Sequence, residues 1–376
     1  MFDVIVVGAG FAGSVIAERL ATQKQQSVLL IEKEKHIGGH CHDYRNEYGI
    51  LVHKYGPHLF HTDSPQVWKY LSQFTEWEVY QHHVLALIDG QKVPLPFSFK
   101  TIEKLFPPDF ARHLEEKLLK VYQFNQKVPV FELLKQGDSD IKALAEYVYE
   151  KVFKFYTMKQ WELAPDQIDE AVSARVPIFI GYDTRYFTDT YQAVPKQGYT
   201  RLFEKLLDHP KIKLFLGLNF LEIAEIKSNT IYIDGRQFKG NIYYTGMVDE
   251  LFDFCEGELP YRSLSLHFEN IPKEQYQEAT TINYPGNYDF TRITEFKHIH
   301  PSESKMTTIL KEYPLKYERY VNRPYYPIFN AESKRQYDKY VEKAKGIKNL
   351  QLVGRLAEYK YYDMDDIVAR ALTCAE

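Results

Sequence analysis

The chain has 376 residues, 44% hydrophobic and 26% charged, which is typical of a globular protein with two or three domains. Its 47 Lys and Arg residues against 51 Asp and Glu residues give a formal net charge of −4, which argues against a nucleic-acid binder with a broad basic surface. Three widely spaced cysteines indicate neither a disulfide framework nor a CxxC metal site. We find no signal peptide, and the longest apolar run, residues 4–17, is too short to span a bilayer. We therefore expect a cytoplasmic protein without a membrane segment.

The first forty residues predict a strand, a helix and a second strand. A β-branched apolar run at residues 2–7 leads into Gly8-Ala9-Gly10-Phe11-Ala12-Gly13, and an apolar helical stripe follows. In a Rossmann-like fold the first glycine permits the tight turn, the second lets the backbone approach a pyrophosphate, and the third allows helix and sheet to pack closely. Glu32 ends the second predicted strand, where a carboxylate can accept a hydrogen bond from a ribose hydroxyl. The segment predicts a dinucleotide site in an α/β domain.

A second glycine motif distinguishes between dinucleotides. Glu32 and Lys33 precede the pair Gly38-Gly39, which is followed by His40. An acidic residue followed by a glycine pair resembles the pattern of flavoproteins such as glutathione reductase and the amine oxidases. The alternative interpretation of the glycine pair is an ordinary turn without a cofactor. We therefore interpret the cofactor as FAD rather than NAD.

The rest of the chain mixes helices and sheets. In chain order, the patterns predict a helix at residues 64–74, a hairpin around Asp89-Gly90 and a mostly helical stretch over 98–161, in several pieces with a break at Pro107-Pro108. They then predict a hairpin around Asp234-Gly235, an antiparallel sheet over 260–313, a buried strand at 350–353 and a helix that begins at Asp363. One helical stripe is predicted to contain Leu114, Leu118, Val121 and Tyr122. The sheet is expected to alternate through Leu264, Leu266 and Phe268.

Several motifs together resemble the UDP-galactopyranose mutase family. They follow one another in the family's order at residues 53–62 (HKYGPHLFHT), 156–161 (YTMKQW), 175–177 (RVP), 195–200 (PKQGYT), 290–293 (FTRI), 311–314 (KEYP) and 354–364 (GRLAEYKYYDM). The resemblance covers nearly the whole chain, and its last block is long and specific.

The resemblance implies three structural parts around one active-site cleft. A discontinuous Rossmann-like FAD-binding domain would comprise residues 1–65, 196–250 and 327–376. A helical-bundle domain would span residues 98–163, and an antiparallel sheet domain that binds substrate would comprise 74–97, 164–195 and 251–326. The family also implies a homodimer.

The same resemblance implies an isomerase. The family interconverts UDP-galactopyranose and UDP-galactofuranose without net redox change. In the mechanism it is understood to use, N5 of reduced FAD attacks C1 of the sugar and UDP leaves and later returns. The product would feed a galactofuranose-containing surface polysaccharide.

Two arginines match the family's residues for the diphosphate, and a guanidinium suits phosphate oxygens. Arg175 matches one on a mobile loop, and Arg292 matches one in the sheet domain. An ion pair with Glu295 is the alternative role for Arg292.

The remaining substrate residues are aromatic or polar. Tyrosines match the family's diphosphate ligands at Tyr186, Tyr313 and Tyr361. Tyr156 and Trp161 match the uridine-binding pair, and Phe153 would extend that wall; a helix–helix contact is the alternative. Asn283 matches a sugar-contacting asparagine, and His82 stands where many members have asparagine.

His58 matches a position beside the flavin ring, which would make it both a catalytic and a cofactor-binding residue. His58, His61 and Asp63 are also candidate ligands of a metal site, but we predict no metal. The second half of the FAD site would comprise Gly354, Arg355, Tyr361, Asp363 and Met364.

Three other functions are compatible with parts of the sequence. They are a mutase for a related UDP sugar such as UDP-N-acetylgalactosamine, an FAD-dependent oxidoreductase related to amine oxidases, and an inactive sensor of nucleotide sugars. The presence of both arginines and the tyrosines argues against the sensor.

Overall fold

The computed structural model describes residues 2–154 and 177–376, without the side chain of Phe153. Its helices are α1 (Phe11–Thr22), α2 (Pro65–Leu71), α3 (Phe99–Leu105), α4 (Pro108–Val121), α5 (Val130–Leu134), α6 (Ser139–Val148), α7 (Tyr199–Leu207), α8 (Phe220–Ile223), α9 (Val248–Leu251), α10 (Ala331–Lys345) and α11 (Met364–Ala375). Short 3-10 turns lie at Gly39–Cys41 and Phe296–His298, and α6 continues as a π-helix over Tyr149–Lys154.

The strands divide into several sheets. In chain order they are β1 (Val4–Val7), β2 (Val28–Glu32), β3 (Asp43–Arg45), β4 (Leu51–His53), β5 (Phe60–Thr62), β6 (Trp77–Val79), β7 (Val84–Ile88), β8 (Gln91–Leu95), β9 (Phe97–Ser98), β10 (Lys127–Pro129), β11 (Pro177–Phe179), β12 (Tyr191–Pro195), β13 (Ile212–Leu216), β14 (Ala224–Lys227), β15 (Thr230–Ile233), β16 (Arg236–Gln237), β17 (Asn241–Tyr244), β18 (Tyr261–Ile271), β19 (Thr281–Asn283), β20 (Arg292–Glu295), β21 (Thr307–Lys316), β22 (Tyr326–Pro327) and β23 (Leu350–Leu352).

A parallel sheet in the order β13-β2-β1-β17-β23 holds the glycine turn at its carboxyl end. The strands β1 and β2 are almost fully buried, as expected for a sheet covered on both faces. Helix α1 packs against α11 on one face, where Val15, Ile16 and Val368 are buried. The predicted strand–helix–strand unit is confirmed, and its sheet brings the two ends of the chain together.

A second, larger sheet forms one wall of the molecule. Its order is β22-β18-β21-β20-β19-β7-β8, and neighbouring strands are antiparallel except for β19 and β7. The predicted hairpin at Asp89-Gly90 forms β7 and β8, and the hairpin at Asp234-Gly235 forms β15 and β16. Both turns place the aspartate and the glycine at positive φ, a backbone conformation that favours Asn, Asp and Gly.

The helices α3 to α6 pack around their own apolar core, which includes Leu114, Leu118, Leu144 and Val148. The predicted stripe was wrong at Val121, which is 49% exposed because the helix ends there and Tyr122 turns inward instead. One further prediction differs from the structure, because Phe268 is 36% exposed although the alternation predicts it inside. The short strand β10 lies within the stretch that is predicted to be mostly helical, in several pieces.

Candidate active site

A cavity opens at the carboxyl end of the parallel sheet. Its wall combines the glycine turn after β1, the end of β2, the turn at Gly38–Cys41 and the segment before α11. Of the predicted cofactor residues, the wall contains Gly8, Gly10, Phe11, Ala12, Glu32, Lys33, Gly38, Gly39, His40, His58, Gly354, Arg355, Asp363 and Met364. The structure therefore brings together most of the predicted set from both ends of the chain.

The glycines show why the turn needs this sequence. Gly8 has φ of +99°, and a Cβ on Gly13 would lie 1.9 Å from the Gly8 carbonyl oxygen. Gly13 does not line the cavity, so its part is the close packing of α1 on β1. A Cβ on Gly10 would contact only the Cα of Gly39, at 3.7 Å, and both glycines line the cavity. The cradle left by Gly10 and Gly39 fits a diphosphate next to the N-terminus of α1.

Glu32 is 6% exposed and is held by backbone groups. Its carboxylate accepts hydrogen bonds from the amide nitrogen of Ala9 at 2.7 Å and from that of Glu34 at 2.8 Å. Because two carboxylate oxygens offer more acceptor sites than these bonds use, Glu32 can also accept from a ribose hydroxyl. Its first structural effect is to fix the glycine turn.

The opposite wall of the cavity comes from the end of the chain. Gly354 has φ of +108°, and its amide donates to Glu358 at 2.8 Å. Arg355 donates to the Tyr362 carbonyl at 2.6 Å. Asp363 caps α11, and that helix directs its N-terminus at the cavity, where it favours negative charge.

A second cavity continues from the first along the large sheet. Five residues line both, and they therefore mark where a bound cofactor would meet a substrate: His40, His58, Arg355, Asp363 and Met364. The second cavity, called the cleft below, also contains the predicted residues Tyr186, Arg292, Asn283, Tyr361 and His82. Tyr361 lines the cleft rather than the cofactor cavity.

Arg292 lies on β20 with its side chain towards the cleft. Its Nε is 2.9 Å from Oε1 of Glu312, which lies opposite it on β21 and is only 1% exposed. The alternative pairing with Glu295 was wrong, because Glu295 is fully buried elsewhere and accepts from Thr307 and two backbone amides. A guanidinium held by a buried carboxylate keeps its remaining donors in one orientation.

His40, His58 and His82 in the cleft are neutral at physiological pH. Burial, reinforced by nearby arginines, lowers the pKa of His58 to about 4 and that of His82 to about 3. Burial also holds the pKa of His40 well below its usual value. His58 Nδ1 lies 2.9 Å from the Gly56 carbonyl oxygen, so this nitrogen carries the proton and Nε2 is left as an acceptor.

Aromatic and amide groups complete the cleft. Tyr326 and Tyr361 stack with their ring centroids 6.1 Å apart, and the Arg355 guanidinium lies over both rings. Tyr186 is 43% exposed at the cleft edge, and its amide donates to the His82 carbonyl at 2.7 Å. Asn283 is 8% exposed, and its Oδ1 has no hydrogen-bond partner among the described residues, as expected for an acceptor that faces a ligand.

One predicted substrate residue lies away from the cleft. Tyr313 follows Glu312 on β21, and since successive side chains of a strand point to opposite faces, it lies on the outer face beside Phe290 and His267. The predictions for Tyr156, Trp161 and Arg175 fall outside the described residues, as does the side chain of Phe153.

Sequence reasoning missed several residues of the two cavities. Glu312 could have been found from its inward position two residues after Leu310 on a strand. Tyr55, Tyr325 and Tyr326 line the cleft, and Arg323 reaches the cofactor cavity from the loop after β21. No local signal distinguishes them from ordinary core or surface residues.

Within residues 2–154 and 177–376, no three His, Cys, Asp or Glu side chains form a group that could hold a metal ion. Asp63, which the sequence offered as a third ligand, instead accepts from the amide and hydroxyl of Thr190, both at 2.8 Å. No helix in the described part of the chain is long and apolar enough to cross a membrane.

Comparison with known proteins agrees with this geometry. The family model for UDP-galactopyranose mutase matches residues 151–361, more than half of the chain, and a model for an NAD(P)-binding Rossmann-like domain matches residues 6–74. The chain belongs to the UDP-galactopyranose mutase family. It is therefore an isomerase whose cofactor is FAD, as the sequence predicts.

Individual relatives show the breadth of the family. A UDP-galactopyranose mutase of Mycoplasma pneumoniae is 34% identical and a dTDP-fucopyranose mutase of Escherichia coli 33% identical; both alignments cover all of this chain, and 96% and 98% of the respective relative. A crystal structure of reduced UDP-galactopyranose mutase superposes with a TM-score of 0.75 at 15% identity, covering all of this chain and 93% of that one. A structure described as a putative protoporphyrinogen oxidase from Exiguobacterium superposes with a TM-score of 0.64 at 13% identity. The superposition covers 99% of this chain and 97% of that one, and at this identity it shows a shared fold alone.

Proposed function

We propose that this mutase interconverts UDP-galactopyranose and UDP-galactofuranose. The observation that carries the proposal is the shared wall between the two cavities. A sugar whose diphosphate reaches Arg292 in the cleft would have its anomeric carbon near His58 and Arg355, where the cofactor cavity begins. Holding reacting atoms together in this way is a main contribution that a protein makes to a cofactor's chemistry.

Arg292 would bind the diphosphate, with Glu312 holding the guanidinium in place. The ion pair holds the guanidinium beside Glu312 on the cleft wall, and a guanidinium suits phosphate oxygens. Tyr186 and Tyr361 would donate hydrogen bonds to the same group, since a phenol stays neutral at physiological pH. We also retain Arg175, Phe153, Tyr156 and Trp161 as proposed substrate residues.

The sugar would contact polar groups of the cleft wall. Asn283 Oδ1 can accept from a sugar hydroxyl, and neutral His82 can donate or accept. His58 Nε2 can accept a hydrogen bond at the boundary with the cofactor.

The residues of the first cavity fit FAD. Gly10 and Gly39 would face its diphosphate, Glu32 its ribose, and the N-terminus of α11 its flavin ring. When reduced, FAD supplies a nucleophilic ring nitrogen to C1 of the sugar and takes up no net electrons. A helix N-terminus beside the ring stabilises negative charge there.

We further propose the division into an FAD domain, a helical domain and a sheet domain that the sequence predicts. The separate cores around α1 and around α4 support the first two. A homodimer, a cytoplasmic location and a role in surface polysaccharide synthesis remain proposals that rest on the family.

A second candidate is isomerisation of a dTDP-6-deoxy sugar. The relative named dTDP-fucopyranose mutase is as similar to this chain as the UDP-galactopyranose mutases are. The experiment that tests both incubates the dithionite-reduced protein separately with UDP-galactofuranose and with dTDP-fucofuranose and follows the products by chromatography. We expect pyranose from UDP-galactofuranose. Turnover of the dTDP sugar alone would favour the second candidate, and turnover that needs oxygen would indicate an oxidoreductase.

A further inference from the structure

Isomerisation between a pyranose and a furanose requires a proton to move within the sugar. The pyranose carries its proton on O4 and closes its ring through O5, whereas the furanose carries the proton on O5 and closes through O4. A cleft that catalyses this exchange therefore benefits from a group that gives a proton to one oxygen and takes one from the other. This reasoning rests on the proposed function.

We propose that His61, oriented by Asp189, carries this proton. His61 is the middle residue of β5, and strand alternation turns its ring into the cleft while Phe60 and Thr62 are buried behind it. Its Nδ1 lies 3.2 Å from Oδ1 of Asp189. The contact is not aligned as a straight hydrogen bond, but the negative charge beside Nδ1 favours a proton on that nitrogen and leaves Nε2 for the sugar.

The face of the His61 ring is also held in place, by stacking on a neighbouring aromatic ring. It stacks on Phe187 with the ring centroids 3.7 Å apart and an interplanar angle of 18°. The segment that contains Phe187 and Asp189 is itself anchored, because Gln192 donates to the carbonyl of Asp189 at 2.9 Å and Thr190 donates to Asp63. A group that must meet two sugar oxygens in turn needs this kind of fixed orientation.

The other cleft histidines fit the task less well. Neither His58 nor His82 has a carboxylate partner among the described residues, and burial together with nearby arginines disfavours a proton on either ring. His61 has an acidic partner at ion-pair distance and lies across Phe187 from His82. Among the cleft histidines that the structure describes, His61 is the one with a carboxylate at ion-pair distance.

The proton step balances without another reactant. When the pyranose opens, the C1–O5 bond breaks with its electron pair staying on O5, and O5 takes the proton from Nε2 of the His61 imidazolium. When the furanose closes, the neutral imidazole takes the proton from O4, and the electron pair of that O–H bond forms the C1–O4 bond. His61 ends protonated, as it began, and the reverse reaction uses the same two steps in the opposite order.

The test separates proton transfer from chemistry at C1. UDP-galactopyranose labelled with ¹⁸O between C1 and phosphorus reports cleavage and return of that bond as scrambling of the label, which needs no transfer between O4 and O5. In His61→Phe, whose ring preserves the stacking on Phe187, we expect interconversion to fall about 100-fold. Scrambling, UDP affinity and FAD content should stay within about threefold of wild type, which is a small difference in free energy.

Further variants keep the test decisive. Asp189→Ala should lower interconversion about tenfold, and Asp189→Glu should restore part of it, since the carboxylate only orients the ring. If His61→Phe fails to fold, His61→Gln takes its place. His113 pairs with Asp140 on the helical part, so His113→Phe is the matched control and should behave as wild type.

Two results would overturn the proposal while leaving the proposed function intact. One is normal interconversion by His61→Phe, and the other is an equal loss of scrambling and interconversion, which would assign His61 to substrate binding. A wild-type protein that converts neither nucleotide sugar would remove the proposed function and this inference together.

Discussion

Single glycine-to-alanine substitutions in the glycine turn can distinguish the contribution of a residue to cofactor binding from its contribution to folding. In Gly10→Ala the new Cβ meets only the Cα of Gly39, at 3.7 Å, and the backbone at φ −82° and ψ −173° accepts alanine. We expect the stability without FAD to change by less than about 1 kcal/mol, because a weaker N-cap offsets a less flexible unfolded chain. The methyl group, however, lies where the diphosphate approaches the helix.

The expected loss of FAD affinity follows from the contacts removed. One charge-assisted hydrogen bond is worth roughly 1.5–3 kcal/mol and the end of a helix up to about 1 kcal/mol for an exposed anion. A total near 3 kcal/mol corresponds to more than a 100-fold weaker complex. At an FAD concentration 100 times the wild-type Kd, the wild type gains about 2.7 kcal/mol of stability and the variant well under 1 kcal/mol.

The assay is thermal unfolding with and without FAD, together with an equilibrium FAD titration. Gly13→Ala should behave differently, because its Cβ would lie 1.9 Å from a backbone oxygen; we expect a loss of about 3 kcal/mol even without FAD. Gly137→Ala is the control, since no atom lies within 4 Å of its Cβ. Wild-type FAD affinity in Gly10→Ala would refute the placement of the diphosphate, and a stable Gly13→Ala would refute the packing argument.

Three other variants test the cleft and the fold. Arg292→Ala should lower turnover by at least about 100-fold while the oxidised-flavin spectrum stays normal; near-normal turnover would contradict its assignment to the diphosphate. Hydrogen bonds from His298, Thr307 and two backbone amides outweigh burial and lower the pKa of Glu295 to about 2. The resulting free energy of stabilisation is present above the unfolded carboxyl's pKa of about 4.5 and is lost as pH falls towards 2. The free energy of unfolding in urea should therefore depend less on pH over that range in Glu295→Gln than in wild type. The control variant Glu278→Gln should match wild type. Tyr70→Phe removes a buried 2.8 Å hydrogen bond to Glu18 and should cost about 2 kcal/mol in thermal unfolding. No loss would mean that the existing pairing of Glu18 with Arg19 is sufficient for the carboxylate.

Local sequence predicted the features that depend on neighbouring residues. The turn at Gly8–Gly13, the hairpin at Asp89-Gly90 and the cap at Asp363 each lie within a few residues of the pattern that indicated them. Backbone conformation and helix capping are set at this range. The family motifs added residues such as Tyr361, whose role no spacing in the sequence reveals.

Contacts across the sheets could not be predicted in the same way. Glu312 reaches Arg292 because β21 pairs with β20 in one register, and a shift by one residue would have placed Tyr313 there instead. Tyr313 itself was predicted for the cleft because its motif matches a tyrosine that binds the diphosphate in the family. Which face a strand residue occupies is decided by the tertiary pairing.

The joining of the chain's two ends at one cavity has a consequence for biosynthesis. The glycine turn leaves the ribosome early, but Gly354 to Met364 complete the opposite wall only after most of the chain has been made. Strand β23 and helix α11 must then find β17 and α1 across a long separation, which is a slow kind of contact to form. A nascent chain therefore lacks one wall of the flavin pocket until residues 354–364 have been made, and we expect FAD to bind only after that point.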